Sequence, residues 1–222
     1  MTKTAAIVVA AGAGKRFGEP KQFAYLRGKP VLEWTLETFE GHPQVDAIVL
    51  VLPDDQGLKH YGLRYPKVLD CVPGGAKRQD SVWQGFRMLA AKEPPGIVLV
   101  HDGARPLVRA DLISRVIAAA GAGGAAVPVL PVEDTLKETR EGRVVRTVDR
   151  TFLARTQTPQ GFRFETLKRA LEAARRDRFY GTDEAALAER LGLAVTAVAG
   201  DPRNIKITTP VDMNIAEALL DA

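Results

Sequence analysis

The chain holds a single cysteine among its 222 residues, which excludes an intrachain disulfide. Cys71 lies in the apolar run Val68–Val72, where a buried structural thiol is expected rather than a nucleophile. An unpaired cysteine also agrees with a reducing, cytoplasmic setting. Long hydrophobic runs are missing too. No apolar stretch approaches the ~18 residues of a membrane span, and a first strand starting near Ala5 leaves no room for a secretory leader. An excess of either charge is lacking too. The net charge is only +4, and no basic block is interleaved with aromatics, so no nucleic-acid surface is expected and small anionic ligands are suited. Repeats, low-complexity tracts and linkers are absent as well, so residues 1–222 are expected to form one domain with a large core.

What is present is a recurrence of short Val/Ile/Leu runs at Ile7–Val9, Ala47–Leu52, Val68–Val72, Ile97–Val100 and Ala125–Leu130. Continuous rather than alternating runs mean strands covered on both faces, as in a parallel sheet. Helical patterns lie between them. Pro30 suits a first helical position before Val31 and Trp34. Ser81–Ala91 aligns Val82, Phe86 and Leu89, and Asp111–Ala120 aligns Leu112, Val116 and Ala119. This alternation predicts an α/β fold with a doubly wound, mostly parallel sheet. The rhythm breaks after Leu130. Pro131–Lys137 and Arg143–Val148 flank a polar turn, Glu138–Gly142, and read as a small β excursion over about residues 131–150. An isolated hairpin is marginal in water, so it should pack on something, and a partner subunit is expected. Afterwards a helix is expected through Phe164, Leu167, Leu171 and Ala174, and another over Thr182–Leu191. A strand should follow at Ala194–Ala199, then a last helix from Thr209-Pro210 with Val211, Ile215 and Leu219 inward.

The first apolar run feeds directly into Ala10-Ala11-Gly12-Ala13-Gly14-Lys-Arg16-Phe-Gly-Glu-Pro-Lys21. Gly12 and Gly14 would let backbone N–H groups approach anionic oxygens. Arg16 and Lys21 add full charges for different phosphates; Lys15 and Lys29 lack that context and read as solvated. A Walker A loop needs Ser or Thr after its Gly-Lys, and here Arg16 follows Lys15. A Rossmann fingerprint needs a third glycine where Phe17 stands. The loop therefore suits a nucleoside triphosphate attacked at its α-phosphate, with Arg16 and Lys21 stabilising the charged transition state.

His101-Asp102-Gly-Ala-Arg105-Pro106 follows a strand whose carboxyl end is where open α/β sheets bind ligands. Asp102 there suits Mg2+, which takes one or two carboxylates and completes its shell with phosphate oxygens and water. The alternative is that Asp102 caps a turn and pairs with Arg105, and His101 reads as a structural neighbour. In Gly74-Gly75-Ala-Lys-Arg-Gln-Asp80-Ser81 the glycines allow close approach of a flat base, and Ser81 offers a hydroxyl to its edge. A tight turn with Asp80 or Ser81 as helix cap fits equally. Thr182 reads first as an N-cap, and Asp183 and Glu184 would repel a phosphate unless basic side chains intervene. Lys206, inside the short apolar strand expected at Asn204–Thr208, calls for an anionic partner.

These motifs together resemble the 2-C-methyl-D-erythritol 4-phosphate cytidylyltransferase family. The matching pieces are Ala-Ala-Gly-x-Gly-x-Arg-x4-Lys (Ala10–Lys21), Gly-Gly-x3-Gln-Asp-Ser-Val (Gly74–Val82), Val-His-Asp-x-Ala-Arg-Pro (Val100–Pro106) and Asp-Thr-Leu-Lys (Asp134–Lys137). Thr-Val-Asp-Arg (Thr147–Arg150), Thr-Pro-Gln-x-Phe (Thr158–Phe162), Thr-Asp-Glu-Ala (Thr182–Ala185) and Asn-Ile-Lys-Ile-Thr (Asn204–Thr208) follow in order. The resemblance implies a Rossmann-like nucleotidyltransferase using CTP and Mg2+, and a homodimer whose excursion reaches into the neighbour's site. By position, Arg16 and Lys21 would act at the α-phosphate. The backbone of Ala10, Ala11, Gly12, Ala13 and Gly14, with Gly75 and Ser81, would hold the base. Asp102 and Arg105 would lie near ribose, metal and triphosphate. Thr135 and Arg150 of the partner's arm, with Thr158, Thr182 and Lys206, would surround methylerythritol phosphate, and Arg150 and Lys206 would place its phosphate for attack.

Two positions depart from the family pattern. Ala76 stands where an acidic residue is frequent and offers no such side-chain contact, and Gly103 replaces a frequent alanine. The chain ends at Ala222, so the cyclodiphosphate synthase domain fused in some relatives is not expected. Three rivals are separable. A ribitol 5-phosphate cytidylyltransferase would keep the chemistry and change the acceptor. A non-catalytic nucleotide-binding module would bind CTP and release no pyrophosphate. A glycosyltransferase of similar topology is disfavoured because no Asp-x-Asp follows a strand.

Overall fold

The structure, a computed structural model, describes residues 3–53 and 57–221, the side chains of 57–59 apart. The first half alternates as expected: β1 (Thr4–Val9), a two-residue pair β2 (Tyr25–Leu26) and β3 (Lys29–Pro30), α1 (Val31–Gly41), β4 (Ala47–Leu52) and α2 (Gly57–Arg64). Then come β5 (Val68–Pro73), α3 (Arg78–Ala91), β6 (Ile97–Asp102), α4 (Ala110–Gly123) and β7 (Ala125–Pro131). The excursion is β8 (Leu136–Arg140) with β9 (Arg143–Val148), and β10 (Ala154–Thr156), β11 (Gln160–Arg163) and α5 (Phe164–Arg176) return the chain to the body. It closes with α6 (Glu184–Arg190), β12 (Thr196–Ala199) and α7 (Pro210–Leu220).

β5, β4, β1 and β6 lie side by side and parallel, because each is linked to the next by a crossover helix. β11 then enters antiparallel between β6 and β7, and β12 pairs parallel with β7. The sheet is thus mostly parallel and covered on both faces. Successive residues of β1 point to opposite sides. Ala6 and Val8 join a core with Leu36 and Phe39 of α1 and Leu112 and Val116 of α4. Ala5 and Ile7 meet Val82 and Phe86 of α3 and Leu167 and Leu171 of α5. Cys71 is buried in the first of these cores, as expected. No helix among the described residues is long and apolar enough to cross a membrane.

Several local expectations are corrected. The excursion's turn is tighter than Glu138–Gly142: Glu138–Arg140 is strand, and Glu141-Gly142 make the bend with φ of 49° and 76°, the conformation that the strands' twist selects in two-residue hairpins. Pro30 is the residue before α1 rather than its first turn. The helix expected over Thr182–Leu191 is capped by Asp183, whose carboxylate accepts from the Ala186 N–H at 2.9 Å, so Thr182 lies outside it and exposed. Thr209 and Asp212 form the expected cap of α7, but its inner face differs. Val211 and Ile215 are 64% and 45% exposed, and Ala216, with Met213 and Leu220, packs against Leu26, Val31 and Ile207. Asn204–Thr208 is irregular chain rather than strand.

Candidate active site

β1 was followed by one crossover toward β4, and β6 lies on its other side, so the sheet's connections diverge between β1 and β6. Open α/β sheets bind ligands at that divergence. In register, Val9 faces both Val51 and Asp102, so the chain leaves these strands at one level. A cavity of about 540 Å3 opens there, walled by Ala10–Lys15, Lys21, Gly75–Arg78, Ser81, Asp102 and Lys206.

The loop after β1 owes its path to Gly14. Its φ is +65°, and a Cβ would lie 1.7 Å from the Glu19 carbonyl oxygen, so only glycine fits. The Gly14 carbonyl accepts from Phe17 and Gly18, closing the turn that carries Arg16. Gly12 differs from expectation: its backbone is unstrained and nothing lies where a Cβ would be. Gln22 instead ties the loop down by donating to the Gly12 carbonyl at 3.1 Å. Among the described residues, the N–H groups of Ala11, Gly12, Ala13 and Gly14 find no acceptor. Lys21 and, contrary to expectation, Lys15 line the cavity, while Arg16 is exposed on the adjoining turn. Lys29 is not simply solvated: it pairs with Glu37 at 2.5 Å and covers the Trp34 ring.

On the base side, the Gly75 N–H donates to Ser81 Oγ at 3.1 Å, and that hydroxyl donates to the Lys77 carbonyl at 3.2 Å. The Asp80 carboxylate accepts from the Lys77 N–H at 3.1 Å. The tight turn holds, but the cap is misplaced: Lys77 is the N-cap of α3, Asp80 is the third helical residue and holds the Lys77 N–H, and Ser81 follows it; both Gly75 and Ser81 face the cavity.

Asp102 is the electrostatic centre. Arg78 Nε donates to Oδ1 at 2.9 Å, Lys206 Nζ donates to Oδ2 at 2.7 Å, and Arg105 Nε stands 3.9 Å away. Burial works against its charge, but Arg78, Lys206 and Arg105 together hold the carboxyl far below its ordinary range. The anionic partner that Lys206 calls for is thus Asp102. Lys21 is shifted down, first by burial and then by the nearby charges of Lys206 and Arg16. Arg78 was missed by sequence reasoning. It also reaches Glu184, whose two oxygens accept from Nη1 at 2.9 and 2.8 Å. It is the basic side chain that answers one of the two carboxylates after Thr182; Gln160 Nε2 answers the other, donating to Asp183 at 2.8 Å.

His101 is fully buried, and burial pushes its ring down to about 3. Thr158 Oγ1 accepts from the Asp102 N–H and faces His101 Nδ1, each at 3.1 Å. The hydroxyl proton is then free for Nδ1, which fits a neutral ring serving as scaffold. Thr158 is thus engaged beneath the site. Asn204 Nδ2 donates to the Thr158 carbonyl at 2.8 Å, and Arg105 Nη1 donates to the Asn204 carbonyl at 2.7 Å. A second cavity of about 410 Å3 lies alongside, walled by Arg105, Arg155, Gln157 and Asn204, and Lys206 lines both. The structure does not bring Thr135, Arg150 or Thr182 into either cavity: all three are exposed, and the first two lie on the excursion.

A glycine loop with free N–H groups, facing cations at the divergence of a mostly parallel sheet, is the architecture of the α/β nucleotidyltransferases. Known proteins narrow the class. A family profile for 2-C-methyl-D-erythritol 4-phosphate cytidylyltransferase matches residues 4–222. The 2-C-methyl-D-erythritol 4-phosphate cytidylyltransferase of Symbiobacterium thermophilum is 45% identical over 97% of this chain and 92% of its own length. The crystal structure of the enzyme of that name from Thermus thermophilus superposes with a TM-score of 0.80 at 37% identity, covering 97% of this chain and 98% of that one. A 4-diphosphocytidyl-2C-methyl-D-erythritol synthase from Anaerococcus prevotii superposes at 0.86 with 30% identity, over 100% and 99% of the two chains. The chain belongs to the 2-C-methyl-D-erythritol 4-phosphate cytidylyltransferase family.

Proposed function

We propose that the protein transfers CMP from CTP to 2-C-methyl-D-erythritol 4-phosphate, giving 4-diphosphocytidyl-2-C-methyl-D-erythritol and pyrophosphate. The observation that carries this reading is the pairing of two cavities through Lys206. One has unpaired N–H groups and Lys21 for a triphosphate; the other is walled by Arg105 and Arg155, which suit a second anion. An oxygen of the acceptor's phosphate attacks the α-phosphorus of CTP in line. The bond from that phosphorus to the bridging oxygen breaks, and pyrophosphate leaves. Arg16 and Lys21 stabilise charge on the triphosphate. Gly75, Ser81 and part of the Ala10–Gly14 backbone hold the base, the loop's remaining N–H groups meet the triphosphate, and Asp102 orders the ribose and phosphate region, while Arg105 serves the second cavity. Lys206 holds the acceptor from the seam of the two cavities, and Thr158, buried beneath them, supports the site rather than touching the ligand. No covalent intermediate is required, and buried Cys71 offers no nucleophile.

A divalent cation fits this site in a limited way. Each Asp102 oxygen accepts one hydrogen bond from a cationic side chain and keeps a second lone-pair position, so Asp102 would hold Mg2+ jointly with substrate phosphates. Bound there, the metal would neutralise triphosphate charge. Thr135 and Arg150 are assigned to the neighbouring subunit's acceptor site. In support, Val144 and Val145 on the excursion are 63% and 52% exposed, and Phe152, soon after it in the chain, is 94% exposed. A homodimer covers those side chains and completes both sites. We take residues 1–222 as one domain with its arm, acting in the cytoplasm.

Pyrophosphate release tests the reading. With CTP, methylerythritol phosphate should support turnover and ribitol 5-phosphate should not. Turnover with ribitol 5-phosphate alone would transfer the protein to the other acceptor, and CTP binding without release for either would make it a binding module.

A further inference from the structure

We infer that Glu184 is a positioning residue for the transfer proposed above: acting through Arg78, it fixes the orientation of Asp102 and thereby the place of Lys206 between the two cavities. The inference rests on that functional reading. Glu184 lines neither cavity, and its side chain is 1% exposed. Both of its oxygens grip one nitrogen of Arg78, leaving Nε of the same guanidinium to hold Asp102 Oδ1. Oδ2 is then turned to Lys206 Nζ. Four charges alternate in sign from the interior to the site, and each fixes the next.

The base of this chain is rigid. Asp183 caps α6, Gln160 Oε1 accepts from the Ala185 N–H at 3.1 Å, and Gln160 Nε2 holds Asp183. The first turn of α6 is thus tied to β11 in the middle of the sheet. A buried ion pair contributes little stability over an apolar pair of similar volume, so what this one supplies is geometry. Lysine needs such a constraint, since its stem carries about 2 kcal/mol of rotamer entropy. Arg78 Nη2 is buried and, among the described residues, has no partner. Arg78 is held by its other nitrogens with a donor to spare.

The test measures kcat and KM for methylerythritol phosphate, and separately the Kd for CTP without acceptor. Glu184→Gln should lower kcat/KM for the acceptor by about 10-fold or more, as for a group displaced by a fraction of an ångström, while the CTP Kd moves by less than about 3-fold. Glu184→Asp, which keeps the charge on a shorter stem, should recover part of the loss. Glu184→Leu with Arg78→Met replaces the pair by apolar volume and leaves Asp102 to Lys206 and Arg105, so it should retain the kinetic defect. Glu184→Gln should lower Tm under either role, because it breaks a buried pair; a purely structural role would leave kcat/KM for the acceptor at the parental value in the folded fraction of both variants. Parental kinetics in either protein overturns the inference. If the parent releases no pyrophosphate from CTP and methylerythritol phosphate, the functional reading fails, and this inference with it.

Discussion

Asp102→Asn isolates the electrostatics at the crest of the sheet. The substitution keeps the shape and removes one charge facing Arg78 at 2.9 Å, Lys206 at 2.7 Å and Arg105 at 3.9 Å. Arg78 keeps Glu184 as a partner, but Lys206 is left with none. Deleting one member of a buried pair costs about 3–5 kcal/mol. Lys206 is 36% exposed and can turn toward water, so the lower end, about 3 kcal/mol, is expected. At this chain length 1 kcal/mol moves Tm by about 2–4 °C, so circular dichroism should show Tm falling by about 6–12 °C. Inorganic triphosphate should then stabilise the variant more than the parent, because its cluster of cations lacks the internal anion. The pH dependence has a definite sign. The folded-state carboxyl lies below its ordinary 3.8, so its contribution is complete above that value and is lost only as pH falls beneath it. The Tm gap between the two proteins should therefore be flat from about pH 8 to about pH 5. A loss under about 2 °C, or a gap that shrinks across that range, would refute this account of the cluster.

Other consequences can be checked alongside. Arg16→Ala and Lys21→Ala should each lower kcat by about 10²-fold or more, the scale for losing one transition-state donor; near-parental turnover in either removes that residue from the chemistry. Mixing Arg150→Ala with Lys206→Ala protein should restore up to about a quarter of parental activity, since half the dimers are mixed and each then holds one intact site. No recovery on mixing would separate the arm from the neighbour's site. His42 is buried, with Nε2 near the Ala110 carbonyl and Ser114 Oγ, and burial holds its pKa below 6.5. The unfolded chain therefore takes up a proton that the folded chain refuses, and stability should fall by up to about 1 kcal/mol per pH unit below 6.5. Urea titrations of His42→Gln should show a shallower decline. Burial pushes Cys71 up to about 11, so native protein at pH 8 should react with a thiol reagent about 10²-fold more slowly than urea-unfolded protein.

The sheet was legible because a strand buried on both faces has no polar alternation to disguise it. Ile7–Val9 and Ala47–Leu52 are apolar throughout, and both are central strands. The loop after β1 was legible for a related reason: Gly14 stands where no side chain fits, so backbone geometry left a mark in composition. The inner face of α7 was misread because helical periodicity reports which residues share a face, not which way it turns. Val211 and Ile215 do lie together, but packing on Leu26 and Ile207 is taken by Ala216 with Met213 and Leu220. The cap expected at Thr182 falls one residue later, because the Asp183 carboxylate takes the Ala186 N–H.

The charge cluster was half legible, and the missing half shows where sequence reading stops. Lysine among apolar neighbours announced that Lys206 needs an anion, because burying an ammonium alone is too costly. Which anion was hidden: Asp102 lies 104 positions away and meets Lys206 only because β6 ends beside the last irregular segment. Arg78 and Glu184 were quieter still. Each stands inside a motif whose neighbours, Ser81 and Thr182, looked more suited to a ligand. Arg78 is 24 positions from Asp102 and 106 from Glu184, and neither spacing carries a periodic signal. Their pairing nonetheless follows from a condition that the sequence did state: carboxylates after Thr182 are compatible with a phosphate site only if cations intervene. Folding meets that condition by carrying one arginine across the switch in the sheet, where it neutralises Glu184 and orients Asp102 in the same stroke.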